Sequence, residues 1–266
     1  MNFACMHAFL ALYFRLGLRG FHFLNRWLNH GGPLQVRCSY GTEFLLRPGS
    51  YIDDFVISEG YYESEIIEAI KALDWQKFRF WDIGSNIGLH AITVAALFPD
   101  AEVIAFEPLP DAYARLLEHQ ALNGVSITDC NFALMDRAGS QAIFTDSSGF
   151  SGQSCLIEAN APTGSVSFKV DCQTAASMVE RFGCPHIVKI DVEGAELNVL
   201  QGFKEQLQNP DLQVILFEEH ADLLDAREQN PVFQLLSSVG FSIAQLQRRE
   251  RTVHALENFI ATRFSL

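Results

Sequence analysis

Clustered cysteines and an excess of positive charge are both missing from this 266-residue chain. Its six cysteines lie far apart and form no Cys-x-x-Cys pair, so we expect reduced thiols in a cytoplasmic protein rather than a disulfide framework. Lysine and arginine number 19 against 32 aspartates and glutamates, which gives a formal net charge of −13. Such a chain repels phosphate backbones, and we therefore expect no nucleic acid partner.

Acidic residues are absent from the first 42 positions, which carry four arginines. Within residues 1–28, apolar side chains recur every three or four positions, which predicts an amphipathic helix. Its longest apolar run is too short to span a bilayer, and no signal-peptide cleavage pattern is visible. Two interpretations stay open: peripheral contact with an anionic membrane, or packing on the domain or a partner. We favour packing, because Gly17 and Gly20 weaken an isolated helix.

Internal repeats and low-complexity tracts are also missing, and 48% of the residues are apolar, which is enough for the core of one domain. From residue 78 onward, short apolar runs alternate with stretches of helical period. This alternation indicates an α/β fold with a parallel sheet covered by helices on both faces. Strands are predicted over 78–83, 103–106, 127–132, 187–190 and 212–217, helices over 87–97, 111–123, 173–182 and 195–207, and a closing antiparallel hairpin over 240–246 and 258–263.

The same patterns suggest a division of the chain. Residues 1–32 form an N-terminal helical extension, and residues 33–266 form the α/β domain. Within that domain, residues 33–77 are expected to be a lead-in or cap. Residues 139–170 are rich in serine, glycine and threonine and break the alternation, so they are interpreted as an antiparallel insertion or a loop near the functional site.

Three acids follow or end predicted strands, where open parallel sheets bind their ligands. The first strand runs into the stretch DIGSNIG over residues 82–88, whose glycines permit a tight turn just as a helix begins. The second strand ends in Glu107, 23 positions after Gly84. At that spacing an acid accepts hydrogen bonds from ribose hydroxyls. The third acid is Asp191.

The glycine pattern and the local charge together select among nucleotides. A dinucleotide needs Gly-x-Gly-x-x-Gly around its pyrophosphate, but the middle position here is Asn86. Carboxylates near the turn disfavour a pyrophosphate and favour the sulfonium and amino groups of S-adenosylmethionine. The alternative is that Gly84 and Gly88 are ordinary turn residues and that Asp82 caps the helix. The spacing of Glu107 favours the cofactor.

Several stretches resemble the FkbM-type S-adenosylmethionine-dependent methyltransferases. They are FWDIGSNIG, VIAFEPLPDAYARLLEHQALNG, IVKIDVEGAELNVLQGF, the end of ILFEEH, and the upstream LRPGSYIDDFVISEGYYESE. The resemblance covers roughly residues 36–220. It implies a class I Rossmann-like fold with a mostly parallel seven-stranded sheet. It also implies O-methylation of a hydroxyl group on a sugar or another natural product.

Site residues follow from the resemblance position by position. The turn is expected to hold the methionine part of the cofactor, and Glu107, followed by Pro108, is expected to hold the ribose. Asp191 with Glu193 would line the methyl end. The expected methionine-binding residues are Asp82, Gly84, Ser85, Asn86 and Gly88, and those flanking the adenine are Asn131, Phe132 and Ala133.

In the lead-in, Asp53, Tyr62 and Glu63 are expected to close over the cofactor or contact the substrate. Tyr62 could instead belong to the core, and Glu63 could be an acid at the start of a helix. Both interpretations stay open for these residues.

Methyl transfer to an alcohol is an in-line displacement that benefits from positioning and from a general base. His220 is the first candidate base, because a neutral imidazole can accept a proton without a buried charge. Asp191 and Glu193 are the next candidates, while His220 could instead hydrogen-bond a loop carbonyl. The acids are not at tight ligand spacing, so no metal is expected. A non-catalytic cofactor-binding scaffold stays open as an alternative function, and the glycine pattern disfavours a dinucleotide-dependent oxidoreductase.

Overall fold

The structure is a computed structural model that describes residues 32–145, 154–155, 166–220, 229–247 and 256–264. The amphipathic helix predicted within residues 1–28 lies outside these ranges, so its contacts stay a prediction. In the described part of the chain, no helix has both the length and the apolar character needed to cross a membrane.

The described elements alternate along most of the chain, as the sequence predicts. The strands are β1 (Leu34–Arg37), β2 (Glu43–Leu46), β3 (Arg79–Ile83), β4 (Glu102–Phe106), β5 (Thr128–Cys130), β6 (Ala133–Met135), β7 (Gly139–Thr145), β8 (Ser154–Cys155), β9 (Val166–Thr174), β10 (Ile187–Ile190), β11 (Val214–His220), β12 (Ser242–Gln245) and β13 (Leu256–Thr262). The helices are α1 (Tyr51–Glu59), α2 (Ser64–Ala72), α3 (Leu89–Leu97), α4 (Pro110–Asn123), α5 (Ala175–Phe182), α6 (Glu196–Phe203) and α7 (Pro231–Ser238), and a 3-10 turn covers Lys204–Gln208.

Seven strands form the central sheet in the order β12, β13, β11, β10, β3, β4, β5. Strand β13 pairs antiparallel with both of its neighbours, β11 and β12. The other four pairings in the sheet are parallel. The predicted α/β fold with a mostly parallel seven-stranded sheet and a closing antiparallel hairpin is therefore confirmed. Because β3, β4 and β10 are parallel neighbours, their carboxyl ends meet at one edge of the sheet.

Helices cover both faces of this sheet, so the central strands are apolar on both sides. Along β3, Phe80 points into one core and Trp81 into the other. Helices α1, α2 and α3 contribute to the first core, and α5, α6 and α7 contribute to the second. The alternation of side chains along each strand explains how one apolar run serves two cores.

The structure corrects several predicted boundaries. The strand predicted over 127–132 is split into β5 and β6, and β6 belongs to a separate four-stranded sheet with β9, β7 and β8. The helix predicted from residue 173 begins only at Ala175, because β9 continues to Thr174, whose side chain accepts a hydrogen bond from Ser177 N. The helix predicted over 195–207 ends at Phe203 and continues as the 3-10 turn.

Two regions contain structure that the sequence analysis did not specify. The lead-in holds an antiparallel β1–β2 hairpin followed by α1 and α2, and α7 precedes the closing hairpin. In the segment interpreted as an insertion, β7 pairs antiparallel with β9. Its residues 146–153 and 156–165 lie outside the described ranges.

A buried ion pair attaches the lead-in to helix α4. Asp53 in α1 is 1% exposed and accepts a 2.7 Å hydrogen bond from Arg115 in α4, which is 6% exposed. Arg47 N donates to the same carboxylate oxygen. Burial raises the pKa of Asp53, whereas the Arg115 guanidinium lowers it. The position of α1 therefore depends on a charge pair that water does not reach.

Replacing Arg115 with alanine is expected to lower the free energy of unfolding by about 3 kcal/mol, because Asp53 would stay buried without its cation. Urea denaturation measures the loss. The matched control is Asp111→Ala, which breaks the pair between Arg47 and an aspartate whose side chain is 62% exposed. That change should cost less than about 1 kcal/mol. Equal losses in the two variants would contradict the role given to the buried pair.

Candidate functional site

The turn after β3 is held between the ends of the two neighbouring strands. Gly84 N and Ser85 N both donate 3.0 Å hydrogen bonds to Phe106 O at the end of β4. On the other side, Asp191 N donates a 3.0 Å hydrogen bond to Ile83 O. The predicted convergence of the three strand ends is therefore present, and the turn lies at its centre.

Gly84 lies where two backbones approach closely. Its φ is +79°, and a Cβ atom at this position would lie 1.8 Å from Asp191 O. Gly88 has a φ of +82° and precedes α3, where a Cβ atom would lie 2.9 Å from Ile92 Cδ1. Only glycine combines the left-handed backbone with this lack of space. Both residues serve the tight turn that the sequence predicts.

Glu107 bridges the turn and the start of α4. It is 5% exposed, and its two carboxylate oxygens accept 2.8 Å hydrogen bonds from Asn86 N and Leu109 N. Burial raises the pKa of Glu107 to about 7, although both backbone amides lower it. A carboxylate has about four lone-pair positions, so two amide donors leave room for two hydroxyl donors.

Asp82 is fully buried at the end of β3. The N-cap residue of α3 is Gly88, so Asp82 is not the helix N-cap, but its Oδ2 accepts a 3.0 Å hydrogen bond from Ala91 N in the first turn of that helix. Within the described residues, Asp82 Oδ1 and the hydroxyl of Ser85 are buried and make no hydrogen bond. Buried polar atoms of this kind are costly unless a ligand or water satisfies them. Burial raises the pKa of Asp82 to about 6.

Lys189 in β10 was not identified by the sequence analysis. Its side chain is 4% exposed, and its Nζ lies 2.9 Å from Asp191 Oδ2 and 3.9 Å from Asp82 Oδ1. The available signal was a lysine inside an otherwise apolar strand, because a lysine is rarely buried unless it is paired. The ammonium group therefore joins the carboxylates that end β3 and follow β10.

The loop after β10 carries the residues predicted at the methyl end. Glu193 adopts a left-handed φ of 55°, and Glu196 Oε1 holds the loop by accepting from Val192 N and Gly194 N at 3.2 Å. Burial, followed by the charge of Asp191, raises the pKa of Glu193 to about 8. A carboxyl group with this pKa can exchange a proton near neutral pH.

His220 is the last residue of β11, the strand next to β10. Its backbone therefore lies at the same edge of the sheet as Asp191, where the sequence analysis expects it. Its role as the general base stays a prediction. In the described part of the chain, no group of three or more histidine, cysteine, aspartate or glutamate side chains is arranged to hold a metal ion.

The residues predicted to flank the adenine follow β5, the strand next to β4. Asn131 Nδ2 donates a 2.8 Å hydrogen bond to Glu107 O and a 3.3 Å hydrogen bond to Pro108 O. The ring of Phe132 packs 5.9 Å from that of Phe106, measured between centroids. Ala133 is buried at the start of β6. Asn131 therefore contacts the predicted ribose acid, and Phe132 contacts the residue that precedes it.

The predicted lead-in residues have different environments. Arg115 and Arg47 N satisfy Oδ2 of Asp53 without a ligand, whereas its Oδ1 is buried and makes no hydrogen bond within the described residues. Tyr62 is partly buried in the core, where the centroid of its ring lies 5.3 Å from that of Phe55. Burial raises the pKa of Tyr62, and the negative charges of Glu63, Asp191 and Glu218 raise it further. Lid or substrate contact therefore stays a prediction for Tyr62.

Glu63 immediately precedes α2, as its alternative interpretation expects, and has a left-handed φ of 55°. Its Oε1 accepts a 3.0 Å hydrogen bond from Asn258 Nδ2 in β13. Its Oε2 lies 4.0 Å from Nε2 of His90, whose pKa is lowered by burial. Glu63 is only 3% exposed, so it acts in a buried network that joins α2, α3 and β13.

Comparison with known protein families identifies one family. The model described as the methyltransferase FkbM domain matches residues 82–243, more than half of the chain. The hexuronic acid methyltransferase AglP of Haloferax volcanii is 31% identical over 177 residues, which cover 64% of this chain and 66% of that protein. Methyltransferase 1 of Beauveria bassiana is 26% identical over 178 residues, which cover 60% of this chain and 65% of that protein.

The chain thus spans slightly less than two thirds of the length of these curated relatives. Among solved structures, a precorrin-6y C5,15-methyltransferase from Geobacter metallireducens aligns with a TM-score of 0.46 at 12% identity. That alignment covers 76% of this chain and 89% of the other.

Gly84→Ala is expected to destabilise the protein by at least about 2 kcal/mol more than Gly41→Ala, because overpacking against a backbone oxygen adds to the cost of the left-handed φ. Gly41 is the matched control, since its φ is +89° and its Cβ atom would meet nothing within 4 Å. Urea denaturation of the two variants measures the difference. Similar losses would show that the approach to Asp191 O is not a constraint.

Proposed function

Because this chain belongs to the FkbM methyltransferase family, we propose that it binds S-adenosylmethionine at the carboxyl edge of its sheet and methylates an oxygen atom of a small-molecule or glycan acceptor. A sugar hydroxyl is the preferred acceptor. The observation that carries the proposal is the convergence of Glu107, the glycine turn and Asp82, with two buried polar atoms that make no hydrogen bond within the described residues.

The polar side chains at this site suit a nucleoside that carries positive charge and no phosphate. Glu107 has lone pairs left for the two ribose hydroxyls, and Asp82 Oδ1 and Ser85 Oγ would meet the methionine part. Lys189 already pairs with two carboxylates, so its charge is not available to bind a pyrophosphate. These features favour S-adenosylmethionine over a dinucleotide.

S-adenosylmethionine supplies an electrophilic methyl group when it is bound. The chain's own residues must hold the acceptor oxygen in line with that group, exclude water and accept the hydroxyl proton. We propose His220, Asp191 and Glu193 for the proton, with His220 first. The raised pKa of Glu193, about 8, supports it as the second choice, because the carboxylate form is then a base matched to neutral pH.

A sugar acceptor is supported by the similarity to the protein named hexuronic acid methyltransferase. The alternative function is a scaffold that binds the cofactor without turnover. It differs from the proposed function in its products and not in its affinity for the cofactor.

Isothermal titration calorimetry is expected to show binding of S-adenosylmethionine and no binding of NAD. Glu107→Ala should weaken the affinity about 10- to 100-fold, because hydrogen bonds to a charged acceptor contribute about 1.5–3 kcal/mol. Glu102→Ala is the matched control, since this glutamate starts the same strand at the opposite edge of the sheet. Circular dichroism verifies folding. Unchanged affinity in Glu107→Ala would remove Glu107 from the site.

The reaction itself is tested with S-adenosylmethionine and a panel of neutral hexosides, hexuronic acids and hydroxylated lipids. Mass spectrometry is expected to find a methyl ether on a sugar hydroxyl, and His220→Ala should lower kcat more than it raises the cofactor Kd. Cofactor binding without product from any acceptor would favour the scaffold. A product methylated on carbon or nitrogen would contradict O-methylation.

A further inference from the structure

The ammonium group of Lys189 forms ion pairs with both Asp82, which precedes the glycine turn, and Asp191, whose backbone contacts it. We propose that Lys189 is a positioning residue: its buried ammonium keeps Asp82 in the carboxylate form and holds the side chain of Asp191 in place, so that the cationic end of the cofactor meets carboxylates. This inference rests on the proposed function for the identity of the ligand. The relation among the three side chains can be tested without any ligand.

The sheet places these side chains together. Lys189 and Asp82 are direct partners in the register of β10 and β3, so their side chains leave the same face of the sheet. Asp82 is 0% exposed and Lys189 is 3% exposed, and the ammonium donates a 2.9 Å hydrogen bond to Asp191 Oδ2. The carboxyl group of Asp82 thus has a cation 3.9 Å away and shares it with Asp191.

More carboxyl groups surround this ammonium than it can neutralise. Asp191, Asp82 and Glu63 raise the pKa of Lys189 above its usual value, although burial lowers it, so the lysine holds its proton. Glu193 is also near, and the charge of Lys189 lowers its pKa. From α3, the imidazole of His90 has its pKa lowered by burial and then by Lys189, so it stays neutral and does not replace the cation.

Removing the ammonium therefore has a defined consequence for Asp82. With Lys189 present, burial raises the pKa of Asp82 to about 6 while the lysine opposes the change. Without Lys189, the desolvation and the charge of Asp191 act unopposed except by Ala91 N. Loss of an adjacent cation raises the pKa of a carboxyl group by about 1–3 units, which takes Asp82 through neutrality.

The experiment uses the full chain with 13C-labelled aspartate. The carboxyl carbon of Asp82 is assigned from the signal that Asp82→Asn lacks, and its titration is followed by NMR without cofactor. In Lys189→Met the midpoint is expected to rise by at least about one unit. Lys77→Met removes an exposed lysine and should leave the midpoint unchanged.

The second readout is the affinity for S-adenosylmethionine across the same pH range. In Lys189→Met the affinity should fall about tenfold at neutral pH for each unit by which the midpoint exceeds neutrality, and it should recover in alkaline buffer. If Lys189 had a purely structural role, the substitution would weaken binding equally at every pH. That result would overturn the inference.

Asp191→Asn tests the same relation if Lys189→Met does not fold. This variant removes a negative charge near Asp82 and keeps the ammonium of Lys189, so the titration midpoint of Asp82 should fall. An Asp82 titration that is unchanged in the variants overturns the inference, whether or not the cofactor binds. Failure of the wild-type protein to bind S-adenosylmethionine would contradict the proposed function alone, because the Asp82 titration still measures the effect of Lys189.

Discussion

The contact between the turn after β3 and the backbone after β10 constrains the rest of the site. With no side chain at Gly84, the Asp191 carbonyl can lie where a Cβ atom would otherwise be. This approach brings the ends of β3 and β10 together, and the hydrogen bonds from the turn to Phe106 O add the end of β4. The positions of Asp82, Glu107 and Asp191 at this edge follow from these contacts.

Closeness at this edge creates an electrostatic problem, because each strand ends in or next to an acid. Burial raises the pKa values of Asp82 and Glu107 to about 6 and 7. Two sets of contacts favour the charged forms of these acids. Backbone amides donate hydrogen bonds to Glu107, and the ammonium of Lys189 lies near Asp82 and Asp191. A cationic ligand would relieve the same repulsion, so the cost of assembling the acids favours binding of such a ligand.

The parts that the sequence predicts well depend on local signals. The strand over 187–190, the glycine turn and the acid that follows β4 are visible as an apolar run, a motif and a spacing. The pairing of Lys189 with Asp82 was missed because Asp82 lies 107 positions earlier, and only the strand order makes the two residues neighbours. The helix α1 was missed because it buries Asp53, which interrupts the helical pattern of apolar residues. Arg115, which pairs with this buried aspartate, is 62 positions away in the sequence.

A crystal structure of the full chain with S-adenosylhomocysteine tests the central claim most directly. We predict that the ribose hydroxyls will donate to Glu107 and that the amino group of the methionine part will lie on the turn at residues 84–88, close to Asp82. A nucleoside bound elsewhere, or one whose ribose does not contact Glu107, would contradict the proposed site.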